Sequence, residues 1–403
     1  MNRPRLLFVS PRFLFPTDEG GKIRTSNILR NMKGGAFEVT LASPAPPDVS
    51  GFAAEIDAVC DEFLSWPAPT MSRLGRLMAL AASVPVGVAT DRSARGCEVV
   101  AGAIAGQTDV VLVDFPHADV LVPRHIDPAS VMFTHNVEAE IFERHAGLAR
   151  GIWRLVWRSQ AQKMRRFEGE VLRRFDTVIA VSARDGEALA RRYALPSVHR
   201  IDTGVDLDFF NFQPASAGGD GNTIVFVGAM DSPANIDGVA FLMQEIWPLV
   251  LRGRPAARAV IVGRRPPESL VSAARDRGLA WEFTGLVDDI RPHVAAADVA
   301  VIPLRIGSGT RIKAFEAMAM GRPVVSTRLG VEGLDIEPGE HFLAADSAAD
   351  FAAAILRLLG DAALGERLAR QARTRLEARF SWAQVARQFE AICLAARRGQ
   401  SRG

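Results

Sequence analysis

Three cysteines in 403 residues, Cys60, Cys97 and Cys393, are too few and too scattered for a disulfide framework or a zinc site. They point to a reducing, cytoplasmic setting. An excess of charge of one sign is also missing. With 48 basic and 46 acidic residues the net charge is +2, which disfavours nucleic acid as the main partner. No stretch reaches the roughly 18 apolar residues of a spanning helix. The nearest, Leu77–Thr90, is interrupted by Pro85 and Gly87 and reads as a packed helix end, with an interfacial role as the alternative. The apolar run Leu6–Val9 is too short for a signal-peptide core. Low-complexity segments and short repeats are absent as well.

What is present is a recurring pattern. Short, wholly apolar runs alternate with segments of helical spacing. In the first half they are Leu6–Val9, Val39–Ala42, Val110–Val113, Val131–Phe133 and Val178–Val181. In the second they are Ile224–Val227, Ala259–Val262, Val299–Ile302 and Val324–Val325. Such runs, without polar alternation, suit strands covered on both faces of a parallel sheet. Helical spacing follows in Asn235–Leu251 and Lys313–Met320, so the order is β-α-β-α throughout.

The series starts twice. One opening strand, Leu6–Val9, leads to a loop with Gly20 and Gly21 and a helix from about Lys22; another, Ile224–Val227, ends in Gly228. Between them Pro214–Asn222 has the composition of a linker. The expected organisation is α/β, with a Rossmann-like domain over 1–204 and a second over 205–375. The remainder, 376–403, reads as a C-terminal helix packing back on the first domain, and a tail. Doubly wound sheets bind ligands beyond the carboxyl ends of their strands. Polar residues just after the apolar runs are therefore the ones to examine.

After Val299–Ile302 the chain reads P-L-R-I-G-S-G-T-R-I-K-A-F-E-A-M-A-M-G-R-P-V-V-S-T. Gly307 and Gly309 permit a tight turn, and a helix starting near Thr310 directs free amides at a ligand, a ready phosphate site. Arg311 and Lys313 put cations in a first turn where the helix dipole disfavours them, which makes sense beside an anion. The alternative is two solvated side chains on an exposed turn. Glu316, about two turns in, can accept hydrogen bonds from a ribose diol or pair with Lys313 at i, i+3.

This segment resembles the donor-binding signature of the family-4 retaining glycosyltransferases of the GT-B fold. Further pieces follow in family order: Gly20-Gly21, F-T-H-N-V-E at Phe133–Glu138, V-S-A-R-D at Val181–Asp185 and D-T-G-V-D at Asp202–Asp206. F-V-G at Phe226–Gly228, F-T-G at Phe283–Gly285 and Phe380-Ser381-Trp382 complete the set. The resemblance implies two Rossmann-like domains facing across a cleft, of the bacterial polysaccharide-biosynthesis type. It implies that Glu316, second glutamate of the E-x7-E motif, binds the donor ribose. Gly21, with Gly20, approaches the diphosphate, and His135 contacts the donor sugar near the reacting carbon.

Two departures stand out. Ser308 occupies the place of the first motif glutamate, so sugar contacts rest on backbone amides, with Gly307, Gly309 and Thr310, and on the serine hydroxyl. The family's usual Arg and Lys after the first strand of the second domain are replaced by Gly228-Ala229-Met230-Asp231-Ser232-Pro233. Arg311 and Lys313 are then expected to neutralise the leaving diphosphate, with His135 completing the catalytic set.

Asp206-Leu207-Asp208 could suggest a metal, but its place in the connection between domains favours a turn. No metal and no cofactor are expected beyond the nucleoside-diphosphate sugar itself. Segment Arg144–Arg174 holds nine Arg or Lys against two Glu. Arg150, Arg154 and Arg158 share a helical face, while Trp153, Trp157, Met164 and Phe167 suggest an apolar side. A solvated basic face is one reading; attraction to an anionic membrane or a lipid-linked acceptor is the other. The expected partners are a nucleotide-sugar donor and a glycan or lipid-linked acceptor. The expected place is the cytoplasm, or peripherally the inner face of the membrane. Rival readings are a nucleotide-sugar epimerase of the same fold and a degenerate nucleotide- or glycan-binding protein. A dinucleotide oxidoreductase is disfavoured, because no G-x-G-x-x-G follows an opening strand.

Overall fold

The computed structural model describes residues 3–213, 221–306 and 312–400. The chain divides into two compact units, residues 1–203 with 382–403, and residues 204–381. The first holds a seven-stranded sheet of β1 (Arg5–Val9), β2 (Glu38–Ala45), β3 (Glu62–Pro67), β4 (Val110–Asp114), β5 (Ala129–Thr134), β6 (Thr177–Ala180) and β7 (His199–Arg200). Its order is β3-β2-β1-β4-β5-β6-β7, with every pairing parallel. The second holds β8 (Thr223–Val227), β9 (Arg258–Val262), β10 (Trp281–Gly285), β11 (Val299–Ile302), β12 (Val324–Ser326) and β13 (Leu343–Ala344). They run in the order β10-β9-β8-β11-β12-β13, again parallel. Each sheet reverses direction beside its first strand, at β1/β4 and at β8/β11. Doubly wound folds open their ligand crevice there.

The side chains of β1 explain why its run has no polar alternation. Leu6 and Phe8 pack on one face with Ile28, Leu29 and Phe389, while Leu7 and Val9 pack on the other with Val111, Val113 and Met164. Helices cover both faces, so each position is buried. The terminal helix Trp382–Gln400 belongs to the first unit: Phe389 meets Phe133 edge-on at 5.1 Å, and Glu390 accepts the Ala36 amide at 2.8 Å.

Four local details differ from the sequence reading. Gly20 and Gly21 are the first two residues of the helix Gly20–Met32 and not a loop before it. Residues 376–381 stay with the second unit, because the helix Ala362–Arg379 runs on without a break. The expected helix Asn235–Leu251 spans Pro233–Gly253 and carries a π turn at Leu242–Ile246. Pro248 follows that turn and has no amide to donate, which disrupts the regular ladder there. Leu77–Thr90 is not a packed helix end. It falls in two short helices, Arg73–Ala79 and Val86–Asp91, with Leu77 and Met78 exposed.

Candidate active site

At the carboxyl ends of β1, β4 and β5 a buried polar cluster is assembled from several of the short motifs. His135 follows β5, Asp114 closes β4, and Arg24 comes from the first turns of the helix Gly20–Met32; all three are buried. Arg24 lies 3.0 Å from Nδ1 of His135 through one guanidinium nitrogen and donates to Thr203 Oγ1 at 2.9 Å through another. Nε2 of His135 lies 2.7 Å from Asp114 Oδ1. Asp114 also accepts from Thr25 at 3.1 Å and from Ser10 at 3.4 Å.

The tautomer follows from these partners. A guanidinium can only donate, so Nδ1 accepts and the single ring proton sits on Nε2, donated to Asp114. Burial, opposed by Asp114 and reinforced by the charge of Arg24, holds the imidazole below its ordinary pKa, so the ring is neutral at pH 7. Burial brings the Arg24 pKa down to about 10, opposed by Asp114 and Asp185, and it remains charged. Asp185 is fixed by a reciprocal cap in V-S-A-R-D: Ser182 accepts its amide at 3.0 Å and donates to its carboxylate at 2.7 Å.

Phe115, next after Asp114, has φ +65 and ψ 141, a strained conformation for a residue with a side chain. Its ring stacks on His135 with centroids 4.0 Å apart. A Cβ at Gly21 would come within 2.9 Å of that ring. The glycine is therefore required where the helix passes over Phe115, whatever else its amide does. Both nitrogens of His135 are engaged inside the protein. In this state any contact with a ligand uses the ring's carbon edge or the backbone.

In the second unit the helix Ile312–Ala319 follows β11. Lys313 donates to Asn235 Oδ1 at 2.8 Å and lies 4.6 Å from the centre of the Phe226 ring. Its ammonium stands where a Cβ on Gly228 would reach it at 2.7 Å. A cation thus stands at the end of β8, supplied from the far side of the switch point. Glu316, one turn on, is partly buried in a small cavity with Val225, Val227, Ile290, Val294 and Ile302. That apolar lining pushes its pKa up to about 7, with Lys313 opposing. Gly307, Ser308, Gly309, Thr310 and Arg311 lie outside the described residues. Asp206 accepts the amides of Asp208 at 3.1 Å and Phe209 at 2.9 Å, a side-chain turn.

Arg24, Asp114 and Phe115 were not singled out by the sequence. Asp114 had a signal, since it directly follows the apolar run Val110–Val113. Arg24 and the φ of Phe115 had none.

With this geometry in view, the comparisons decide the class. A model described as Glycosyltransferase Family 4 matches residues 19–209, and one described as Glycosyl transferases group 1 matches residues 221–361. This chain is a glycosyltransferase. It is 26% identical over 294 residues to a glycogen synthase of Mycobacterium tuberculosis, covering 70% of this chain and 67% of that protein. To a phosphatidyl-myo-inositol mannosyltransferase of Mycobacterium leprae it is 32% identical over 211 residues, 50% of this chain and 55% of the relative. Among solved structures, Anabaena HepE in complex with UDP superposes with TM-score 0.69 at 16% identity, covering 97% of this chain and 100% of that one. Sucrose-phosphate synthase from Thermosynechococcus elongatus superposes with TM-score 0.64 at 19% identity, covering 97% and 98%. The glycosyltransferase has two Rossmann-like units and belongs to the GT-B fold class.

Proposed function

We propose that this glycosyltransferase moves a sugar, with retention of configuration, from a nucleoside-diphosphate sugar to a lipid-linked acceptor at an anionic membrane surface. The observation that carries the donor half is the placement of Lys313 and Glu316 in one cavity lining at the β8/β11 switch point. The ammonium suits a departing diphosphate and the carboxylate suits a ribose diol, one helical turn apart. Arg311 and the amides of Gly307, Ser308, Gly309 and Thr310 would extend the same cradle on the strength of the resemblance. Structural neighbours point the same way, since HepE has been solved with UDP and with UDP-glucose. The leaving diphosphate itself takes the acceptor's proton on the same face of the sugar, so the reading uses no protein nucleophile and no metal. In the first unit the resemblance would give His135, fixed by Arg24 and Asp114, the contact to the donor sugar, and Gly20 and Gly21 the approach to its diphosphate.

The acceptor half rests on an exposed apolar surface in the first unit. Leu74, Leu77 and Met78 on the helix Arg73–Ala79, and Ile152, Trp153 and Leu155 on the helix Gly151–Leu172, are 63–73% exposed. Trp153 is therefore not on the packed side of its helix, unlike Met164 and Phe167. The long helix holds the segment around the short one: Lys163 donates to the carbonyl of Leu80, which caps Arg73–Ala79, at 2.7 Å, and Gln160 accepts the amide of Val86, at the start of the next helix, at 2.9 Å. Arg73, Arg76, Arg150, Arg154 and Arg158 are exposed among these apolar groups. Among the described residues no helix is long and apolar enough to cross a membrane. Apolar side chains mixed with arginines suit the headgroup boundary, as does the lipid acceptor named for the mannosyltransferase relative.

Thermal shift with nucleoside diphosphates, and with UDP-glucose and GDP-mannose, tests the donor half. A ligand at 100 times its Kd stabilises the protein by about 2.7 kcal/mol. Lys313→Ala should weaken nucleoside-diphosphate binding at least tenfold and leave nucleoside binding nearly unchanged. If no nucleotide shifts the parent, the donor assignment is lost.

A further inference from the structure

We propose that Asp91, His117 and Glu138 form the subsite that reads the neutral polyol head of the acceptor, an inference that rests on the lipid-linked acceptor reading above. The three come from separate elements. Asp91 ends the helix Val86–Asp91, His117 lies in the 3₁₀ segment Pro116–Leu121 after β4, and Glu138 opens the helix Glu138–Leu148 after β5. His117 Nε2 is 3.3 Å from Glu138 Oε2, while its Nδ1 is 3.9 Å from Asp91 Oδ2. The second distance exceeds hydrogen-bond reach, so Nδ1 and the Asp91 carboxylate are set apart by a gap that a hydroxyl group can bridge.

The cluster adjoins the reaction site. The ring of His117 stacks on Phe115 at 5.7 Å, and Phe115 in turn stacks on His135 at 4.0 Å. Glu138 is free to face His117 because another carboxylate caps its helix. Glu168, fully buried, accepts the amides of Glu138 at 2.7 Å and Ala139 at 3.1 Å, and the Tyr193 hydroxyl at 2.6 Å. Asp91 also joins the cluster to the exposed apolar surface. It closes the chain segment that begins with Leu74, Leu77 and Met78.

The hydrogen-bonding groups identify the chemistry of the head. Two carboxylates flank one imidazole, with Arg12 acting on both Asp91 and His117 from outside. An ionised phosphate or carboxylate oxygen only accepts hydrogen bonds, so the two carboxylates offer it no donor. Adjacent sugar hydroxyls donate to carboxylates and exchange hydrogen bonds with a ring nitrogen. The cluster therefore reads hydroxyls of a neutral sugar or cyclitol.

Octyl glucoside and octyl mannoside, below their micelle concentrations, serve as probes, with 1-octanol as the headless control. Binding is measured calorimetrically on the full chain saturated with UDP. The parent should bind at least one hexoside tenfold or more tightly than octanol. Asp91→Asn, an isosteric change, and His117→Gln should each remove that preference while UDP affinity stays within twofold. A parent with no head-group preference, or an Asp91→Asn variant that keeps it, overturns the subsite. The donor reading is judged separately by UDP and GDP binding to the same samples.

Discussion

Arg24 and Asp114 hold His135 from opposite sides, the guanidinium at Nδ1 and the carboxylate at Nε2. A positive and a negative group are thereby buried with a neutral ring between them. The arrangement is balanced only while all three are present. Desolvated charges cost several kcal/mol each, and what offsets that cost here is their mutual attraction and the hydroxyls of Ser10, Thr25 and Thr203.

Arg24→Met should therefore destabilise the first unit by about 3–5 kcal/mol, since Asp114 is left buried without its counter-charge. Adding Asp114→Asn should recover part of the loss, with a coupling of about 0.5–3 kcal/mol. Urea midpoints of the parent, the singles and the double give that coupling. Additive losses would mean that the two charges do not sense one another through His135.

Gly21→Ala tests the close approach of the helix to Phe115. The new methyl would lie 2.9 Å from a ring carbon, too near for any ordinary contact. Phe115 is stacked on His135 and backed by a strained backbone, so it has little room to yield. Donor turnover should fall at least tenfold, with the unfolding temperature lowered by a few degrees only. Phe115→Leu in the Gly21→Ala background should restore part of the turnover. If Gly21→Ala turns over like the parent, the contact is not what requires glycine.

The edge strands show where the sequence was and was not informative. Every strand missed from the apolar runs lies at a sheet edge: β3 and β7 in the first unit, β10 and β13 in the second. An edge strand has one neighbour and need not be buried on both faces. β10, Trp-Glu-Phe-Thr-Gly, is half-exposed along its length, and β7 and β13 have two residues each. The central strands were legible because burial on both faces demands an unbroken apolar run. The same contrast holds at the site. His135 sits just beyond such a run, and Lys313 and Glu316 on the helix that follows one, in motifs that survive as short words. Arg24 looks like any helical arginine, and only the fold brings residue 24 to residues 114, 135 and 203.

Glu316 gives donor binding a pH signature. Its apolar surroundings raise its pKa in the folded protein to about 7, above the ordinary glutamate value. The folded state thus holds this proton more tightly than the unfolded state, and ionisation of Glu316 costs stability as pH rises toward and through about 7. Ribose hydroxyls donate to the ionised form, so a bound donor offsets that cost. Affinity for UDP-glucose or GDP-mannose, whose diphosphates do not titrate in this range, should rise between pH 6 and pH 8. Glu316→Gln should bind more weakly at pH 8 and lose the dependence. A parent whose donor affinity is flat across that range speaks against a ribose contact at Glu316.

The exposed apolar surface makes the last prediction, about where the enzyme works. Ile152, Trp153 and Leu155 are exposed at the start of a helix whose later residues Met164 and Val171 are buried. Arg150, Arg154 and Arg158 are exposed beside them. Basic residues near an anionic bilayer contribute about 1 kcal/mol each, and salt screens that attraction. Insertion of the apolar side chains is not screened. Vesicles of phosphatidylglycerol and phosphatidylcholine should therefore bind the protein at low salt, with part of the binding lost as ionic strength rises. Replacing Arg150, Arg154 and Arg158 together with Gln should remove the salt-sensitive part. Trp153→Ser with Leu77→Ser should remove the rest, leaving nucleotide affinity unchanged in both. The emission of Trp153, compared with a Trp153→Phe control, should shift to the blue on binding. If the parent ignores anionic vesicles at low ionic strength, the surface serves something other than a bilayer, and a soluble glycan becomes the better acceptor.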